Sequence, residues 1–465
     1  MKFSGTFIII VALFITVLIT SNIVAVKLIH IATLPQPFLG DALIFLPASI
    51  IIFTIINLIV GFVYGQQTII HAGTLIDGKS KRVLKKQSII IEDGIIKSVK
   101  KGYIKNQTDD IVIDLKNNTV MPGWIDMHVH LDGESNPQSY GEDFYMNPED
   151  RAYRTIPWVE KTLMAGFTTV RDLGGEVILS TRNAINNGYI KGPRIYAAGI
   201  SLGTTGGHAD RTSGLNRELR GDPGPYEGVV NGVEDARKAV RQRYKDGSDL
   251  VKITATGGVL SVAKNGLNPQ FTEEEIRAIV ETAKDYEMYV AAHAHGIEGM
   301  QRAIRAGVRT IDHGTLMDKK TAQLMKKYGT YYVPTISAGE FVYEKAQKPG
   351  YFPEIIRPKA LEIGPVIKKT VAMAYKEGVK IAFGTDTGVS PHGDNAHEFE
   401  FMVEAGMAPI DALISANSVA AEALGINDIG QIKEGELQFG VAQSDWQYHA
   451  VNGSSKWEGN QFSNL

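Results

Sequence analysis

The chain has 465 residues, 21% of them charged, and a formal net charge of −3 at pH 7. That length allows two or three domains with a full-sized core, and the near-neutral balance carries no nucleic-acid footprint. Cysteine is absent, which excludes disulfides and thiolate metal sites, so a metal must be held by histidine, carboxylate or a modified side chain.

Residues 1–65 read differently from the rest. No charge falls between Phe3 and Val26, and Ala42–Tyr64 is a second uncharged, isoleucine-rich stretch. Each is long enough to cross a bilayer as a helix, which takes roughly 20 residues. The loop from His30 to Asp41 has no Lys or Arg, whereas Lys79, Lys81, Arg82, Lys85 and Lys86 follow the second stretch. Positive-inside bias then predicts a two-helix membrane anchor with the catalytic domain cytoplasmic. Taken alone, residues 1–22 read as a signal peptide, which would make the protein exported; the second stretch argues against that. Ser21-Asn22-Ile23-Val24-Ala25-Val26-Lys27 resembles the start of queuosine-precursor transporters. That resemblance ends near residue 65, before a transport path could form, so the segment is assigned no chemistry.

Residues 66–120 predict a small β module. Its strands are Thr68–Ile70, Ser88–Ile91, Ile95–Val99 and Ile111–Ile113, with Asp77-Gly78 and Asp93-Gly94 as turns. From Met121-Pro122-Gly123 the texture changes. Eight strand candidates follow: Trp124–His130, Phe167–Leu173, Pro193–Gly199, Asp249–Thr256, Tyr289–His295, Thr310–Gly314, Tyr331–Thr335 and Lys380–Asp386. Amphipathic stretches such as Val233–Tyr244, Thr272–Lys284 and Lys319–Lys327 lie between them. The alternation predicts an α/β fold, a (β/α)8 TIM barrel over residues 121–425. A doubly wound open sheet would want a glycine-rich phosphate turn after its first strand, and none follows.

In such a barrel, chemistry sits at the C-terminal strand ends. Strand alternation puts His128 and His130 on one face about 7 Å apart. They are half of a metal site or two satisfied histidines on a half-buried strand. Lys252 stands between Val251 and Ile253 on strand four. It either snorkels outward or is buried, in which case desolvation frees a neutral amine that CO2 can carboxylate. Strand five ends in His293-Ala294-His295-Gly296, strand six in Asp312-His313-Gly314, and strand eight in Gly384-Thr385-Asp386. A polar candidate at each of these five strand ends points to a metal centre rather than to core packing.

Pro122-Gly123-x-Ile125-Asp126-x-His128-x-His130, Lys252, His293-Ala294-His295-Gly296, Asp312-His313-Gly314 and Gly384-Thr385-Asp386 together resemble the amidohydrolase superfamily. The similarity runs from about Thr68 to Glu436 and favours the prolidase-like branch, binuclear zinc dipeptidases acting on Xaa-Pro or Xaa-Arg/Lys. It implies a TIM barrel flanked by a small β-sandwich formed by residues 66–120 and 426–465. It also implies two Zn2+: His128, His130 and Asp386 on one, His293 and His313 on the other, with carboxylated Lys252 bridging both. His295 would either support the ligands from behind or face the substrate. A water shared by two zinc ions has its pKa lowered toward about 7. Asp386 would take its proton and pass it to the leaving nitrogen.

A dipeptidase must pair a free substrate carboxylate with donors at the barrel rim. The glycine-rich loop Thr204–Arg211 follows strand three, Tyr226 lies further on, and Ser390-Pro391-His392-Gly393 follows strand eight. The resemblance implies His208 and Tyr226 as carboxylate contacts and His392 as a pocket residue. The competing reading is surface loops without a ligand. Ala209 departs from the family pattern, which has glycine there.

Ile429–Leu437 still matches the family, but the pattern is lost from Gln438 onward. The last strands of the small β module are therefore in doubt, and an open sheet edge would lower stability. The expected substrates are small peptides or N-acyl amino acids, with a membrane contact through residues 1–65 and a homo-oligomer left open. Two rivals remain: a cyclic amide hydrolase of the imidazolonepropionase-like kind, and an inactive membrane-tethered binding protein. Retention of all six implied ligands argues against the second.

Overall fold

The computed structural model describes residues 67–435 except positions 143, 263 and 264, together with the backbone of 441–444. Isoleucine-rich segments open the described chain as β1 (Thr68–Ile76), β2 (Val83–Glu92), β3 (Ile95–Lys101) and β4 (Ile111–Pro122). β1 pairs antiparallel with β2 and parallel with β4, so one run of hydrogen bonds joins all of them. With a fifth strand from Val441–Ser444, these four form one five-stranded sheet among the described residues. Between β2 and β3, Asp93 (φ 51°) and Gly94 (φ 72°) form a two-residue turn with both central φ positive. That geometry matches the right-handed twist of a hairpin. Ile70, Leu75, Ile89, Ile91, Ile96, Leu115 and Ile432 fill the core of this module.

The far end of the sheet departs from expectation. Val441–Ser444 forms a strand that pairs antiparallel with β4, from Val441↔Pro122 to Ser444↔Thr119. Sheet pairing is made by main-chain groups and does not require the family's side-chain pattern. The edge expected to be open is therefore covered there. Residues 436–440 and 445–465 lie outside the described residues.

Seven parallel barrel strands follow: β5 (Trp124–Val129), β6 (Phe167–Asp172), β7 (Arg194–Ala197), β8 (Val251–Thr254), β9 (Val290–Ala294), β10 (Thr310–His313) and β11 (Tyr331–Val333). Each lies inside a segment expected to be a strand. The Leu202 N–H donates to the Lys252 carbonyl (2.8 Å) and the Leu202 carbonyl accepts from Thr254 N–H (2.9 Å), which joins the β5–β7 sheet to the β8–β11 sheet. The eighth candidate, Lys380–Asp386, closes the barrel without forming a regular strand. Ala382 N–H donates to Tyr332 and Met127 N–H to Phe383, both at 2.9 Å, while Asp386 N–H donates to the His128 carbonyl at 2.7 Å. Regular pairing fails because Phe383 N–H turns to Ser415 instead (3.1 Å) and Asp386 adopts φ 59°.

Local rules place the outer helices. Thr272 caps the helix Glu273–Asp285 in a reciprocal box with Glu275. The helix Ile297–Ala306 stops at Gly307, whose φ of 98° a side chain would resist. Beneath the strands, Phe167, Phe383 and Phe399 stack with centroids as close as 4.3 Å. Inside the barrel, Arg171 is fully buried. Its guanidinium donates to the Met127 carbonyl (2.6 Å), Thr310 Oγ1 (3.1 Å) and Asp312 Oδ1 (2.8 Å).

The localisation read from the sequence is corrected here. Among the described residues no helix is long and apolar enough to cross a membrane. The two stretches taken for spans, within residues 1–65, lie outside the described residues.

Candidate metal centre

His128, His130, His293 and His313 come from the ends of β5, β9 and β10, Lys252 from within β8, and Asp386 from the irregular segment that closes the barrel. His128 Nε2 and His130 Nε2 lie 3.4 Å apart. Asp386 Oδ1 is 3.4 Å from the first and 3.5 Å from the second, buried and without a hydrogen-bond partner. Three such atoms surround a point about 2.0 Å from each, the length of a zinc–nitrogen bond. Lone pairs converging this closely repel unless a cation or protons lie between them. His128, His313 and Asp386 also bring ligand atoms within 4.8 Å of one another. The residues present fit a metal.

The other imidazoles are prepared in the same way. His293 Nε2 bonds to the Gly257 carbonyl (2.9 Å), His313 Nδ1 to Thr335 Oγ1 (2.7 Å), and His130 Nδ1 to the Gly174 carbonyl (2.8 Å). Each bond occupies one ring nitrogen and leaves the other to ligate. The rings of His293 and His313 lie 4.6 Å apart, and those of His128 and His313 4.9 Å. Burial holds all four imidazoles below their usual range, and the Lys252 ammonium adds to this, so the neutral, ligating form prevails.

Lys252 does not snorkel. It is buried in the barrel with Nζ 3.8 Å from Asp312 Oδ2, and burial lowers its amine to about 8. Asp386 is raised to about 7, again chiefly by burial. Backbone strain gathers here too. His313 (φ 70°), Thr335 (φ 56°) and Asp386 (φ 59°) are non-glycine residues in the left-handed region. Such conformations persist only where the surroundings over-determine them, and they concentrate at functional sites.

The residues expected to read substrate divide. The His208 ring lies 4.5 Å from His293, with a buried Nδ1 that has no partner. Only glycine fits beside it at position 258, where a Cβ would come within 2.2–2.4 Å of the ring. His295 stacks on His313 at 5.1 Å and bonds through Nδ1 to Thr315 Oγ1 at 2.8 Å. His392 is buried behind the rim against Trp158, with Nε2 on the Gly133 carbonyl (2.8 Å), tying two loops together. Tyr226 is not brought to the cluster. Its side chain is 63% exposed, and the fold uses its carbonyl, which accepts from Arg243 Nη2 at 2.6 Å.

Several supporting residues escaped sequence reasoning. Asp126 accepts from His128 N–H (3.0 Å), Thr385 N–H (3.1 Å), Thr385 Oγ1 (2.7 Å) and Asn395 Nδ2 (2.8 Å), which ties the first barrel segment to the last. It stands two residues before His128 on the same strand face, a signal that was available. Asp312 sits 3.7 Å from His128 Nδ1 while bonded to Arg171. It lies inside a quoted motif, but nothing local announces a guanidinium arriving from β6.

Residues 119–437 match the family model described as "Amidohydrolase family". An ochratoxinase from Aspergillus niger is 33% identical over 79% of this chain and 79% of its own length. Among solved structures, a Xaa-Pro dipeptidase with bound methionine in its active site is 52% identical, with a TM-score of 0.78 over 80% of this chain and 92% of that one. A prolidase complexed with N-methylphosphonate-L-proline is 32% identical, with a TM-score of 0.72 over 80% and 91%. The family match begins at residue 119 and lends no support to a transporter likeness in residues 1–65.

Proposed function

From the premise that this chain belongs to the amidohydrolase family and hydrolyses C–N amide bonds, we propose that it is a binuclear zinc dipeptidase. Its substrates are Xaa-Pro or Xaa-Arg/Lys dipeptides, or N-acyl amino acids, with a free carboxylate beside the scissile amide. The carrying observation is the convergence of His128 Nε2, His130 Nε2 and an unpartnered Asp386 Oδ1 on one point. The 52% identity to a Xaa-Pro dipeptidase with bound methionine in its active site supports the substrate class.

His128, His130 and Asp386 would hold one zinc, His293 and His313 the other, with carboxylated Lys252 between them. When bound, such a pair lowers the pKa of a water and polarises an amide carbonyl. The remaining work belongs to the chain. Asp386 is pinned by its N–H on the His128 carbonyl (2.7 Å). Its carboxylate accepts the proton of the attacking water and delivers it to the leaving nitrogen. His208 offers its unpartnered nitrogen to the substrate carboxylate. His295, fixed by Thr315, borders the same space.

The test is metal analysis joined to a hydrolysis screen of Xaa-Pro, Xaa-Arg and Xaa-Lys dipeptides against their C-terminal amides. Two zinc per chain, cleavage of the free acids and poor cleavage of the amides are expected. Lys252→Ala should lose at least one zinc. Unchanged metal content in that variant, or equal cleavage of acids and amides, would sink the proposal.

A further inference from the structure

Glu398 lies in the first turn of the helix His397–Glu404 and is fully buried. Its oxygens meet three donors. Ile336 N–H reaches Oε1 at 2.9 Å, and Ser337 N–H and Oγ–H both reach Oε2 at 2.7 Å. Those donors form the first turn of the helix Ile336–Ala346, where unsatisfied N–H groups and the helix dipole favour a carboxylate. Normally the residue just before such a helix caps it with its own side chain. That residue is Thr335, and its side chain makes no capping bond. It stands instead at φ 56°, ψ 48°, a strained conformation for a β-branched residue, with its hydroxyl 2.7 Å from His313 Nδ1. The capping task has passed to a carboxylate 62 residues downstream of Ile336, and the threonine hydroxyl is released to the histidine.

We propose that Glu398 is a positioning residue for His313, acting through Thr335: by capping the helix from outside it holds the strained turn that fixes which nitrogen of His313 faces the metal site. This rests on the metal reading above for its consequence, but not for its geometry. Glutamine is the informative replacement, because it keeps the shape while setting an NH2 group against donors that need an acceptor.

The experiment uses the full-length chain in two measurements. In competition titrations with Zn2+, Glu398→Gln should weaken one of two sites by about 10- to 100-fold and leave the other near wild type. Thr335→Ala should reproduce that loss and Thr335→Ser should not. Adding Glu398→Gln to Thr335→Ala should then cost less than about twofold more, since both act through one hydroxyl. In the metal-free protein, long-range 1H–15N spectra of the histidine rings should show a protected His313 Nδ1–H in wild type and Thr335→Ser. That signal should be lost in Glu398→Gln and Thr335→Ala. Equal weakening of both zinc sites, additive penalties, or a His313 tautomer unmoved in Glu398→Gln would each overturn the proposal. A wild-type chain that takes up no zinc would overturn the dipeptidase reading, while the ring spectra would still decide this inference.

Discussion

The five-stranded sheet and the barrel mouth are built by opposite rules. The core of the sheet is aliphatic, its hairpin turn uses Asp93-Gly94 as turn chemistry demands, and β2 pairs with β3 from Gln87↔Lys101 to Glu92↔Ile95 with one irregularity at Ile90/Ile91. The mouth buries Asp126, His128, Arg171, Lys252, His293, Asp312, His313 and Asp386 together and holds three non-glycine residues at positive φ. Burying charge costs free energy unless each group is paired, so the mouth gives up stability for function, and the sheet and outer layers supply it. Local rules broken without local compensation mark where chemistry is done.

The largest expected effect breaks this comparison if it fails. Asp386→Asn should lower kcat on a Xaa-Pro dipeptide by about a thousandfold. Calorimetry on the metal-free protein should show no loss of thermal stability, because the carboxylate it removes is buried with Oδ1 unpaired. A variant that keeps its activity would move the chemistry away from the mouth.

Two stability changes sharpen the contrast. Arg171→Met strands the Asp312 carboxylate inside the barrel and should cost about 3–5 kcal/mol in urea unfolding, with activity lost as well. Ile89→Ala in the sheet should cost about 2–4 kcal/mol, yet kcat per folded molecule should stay at the wild-type value. If both substitutions change kcat alike, the two regions are not energetically separate.

The smallest effect is at the rim. Arg154 donates to both oxygens of Glu142, at 2.8 and 2.7 Å, and holds that carboxyl below its usual range. A depressed carboxyl contributes stability above its unfolded pKa and loses it as pH falls through the folded value. Arg154→Leu should therefore cost about 1 kcal/mol at pH 7 and progressively less as the medium is acidified below about 4. Equal melting differences at pH 7 and pH 3 would show that the pair acts through packing rather than charge.

The barrel and its ligand candidates were legible because strand period and motif spacing are local. His128-x-His130 or a lysine between two apolar strand residues can be read within a few positions. Segment Lys380–Asp386 was read as a strand and proved irregular, since its pairing yields to Ser415 and to the turned backbone at Asp386. The place of Tyr226 was not legible, because a loop residue's position depends on what grips its backbone, here Arg243. The Glu398–Thr335–His313 chain was invisible, because its members meet only after the last barrel segment has folded over the seventh strand.

Asp386 N–H donating to the His128 carbonyl joins the first and last staves of the barrel. A chain synthesised as far as Gly314 owns five of the six donors and still lacks the closed site, because the seam shuts only when the final segment docks. Contacts of such long sequence separation form late and slowly. On the proposed reading of the site, hydrolysis therefore waits for the ring to close.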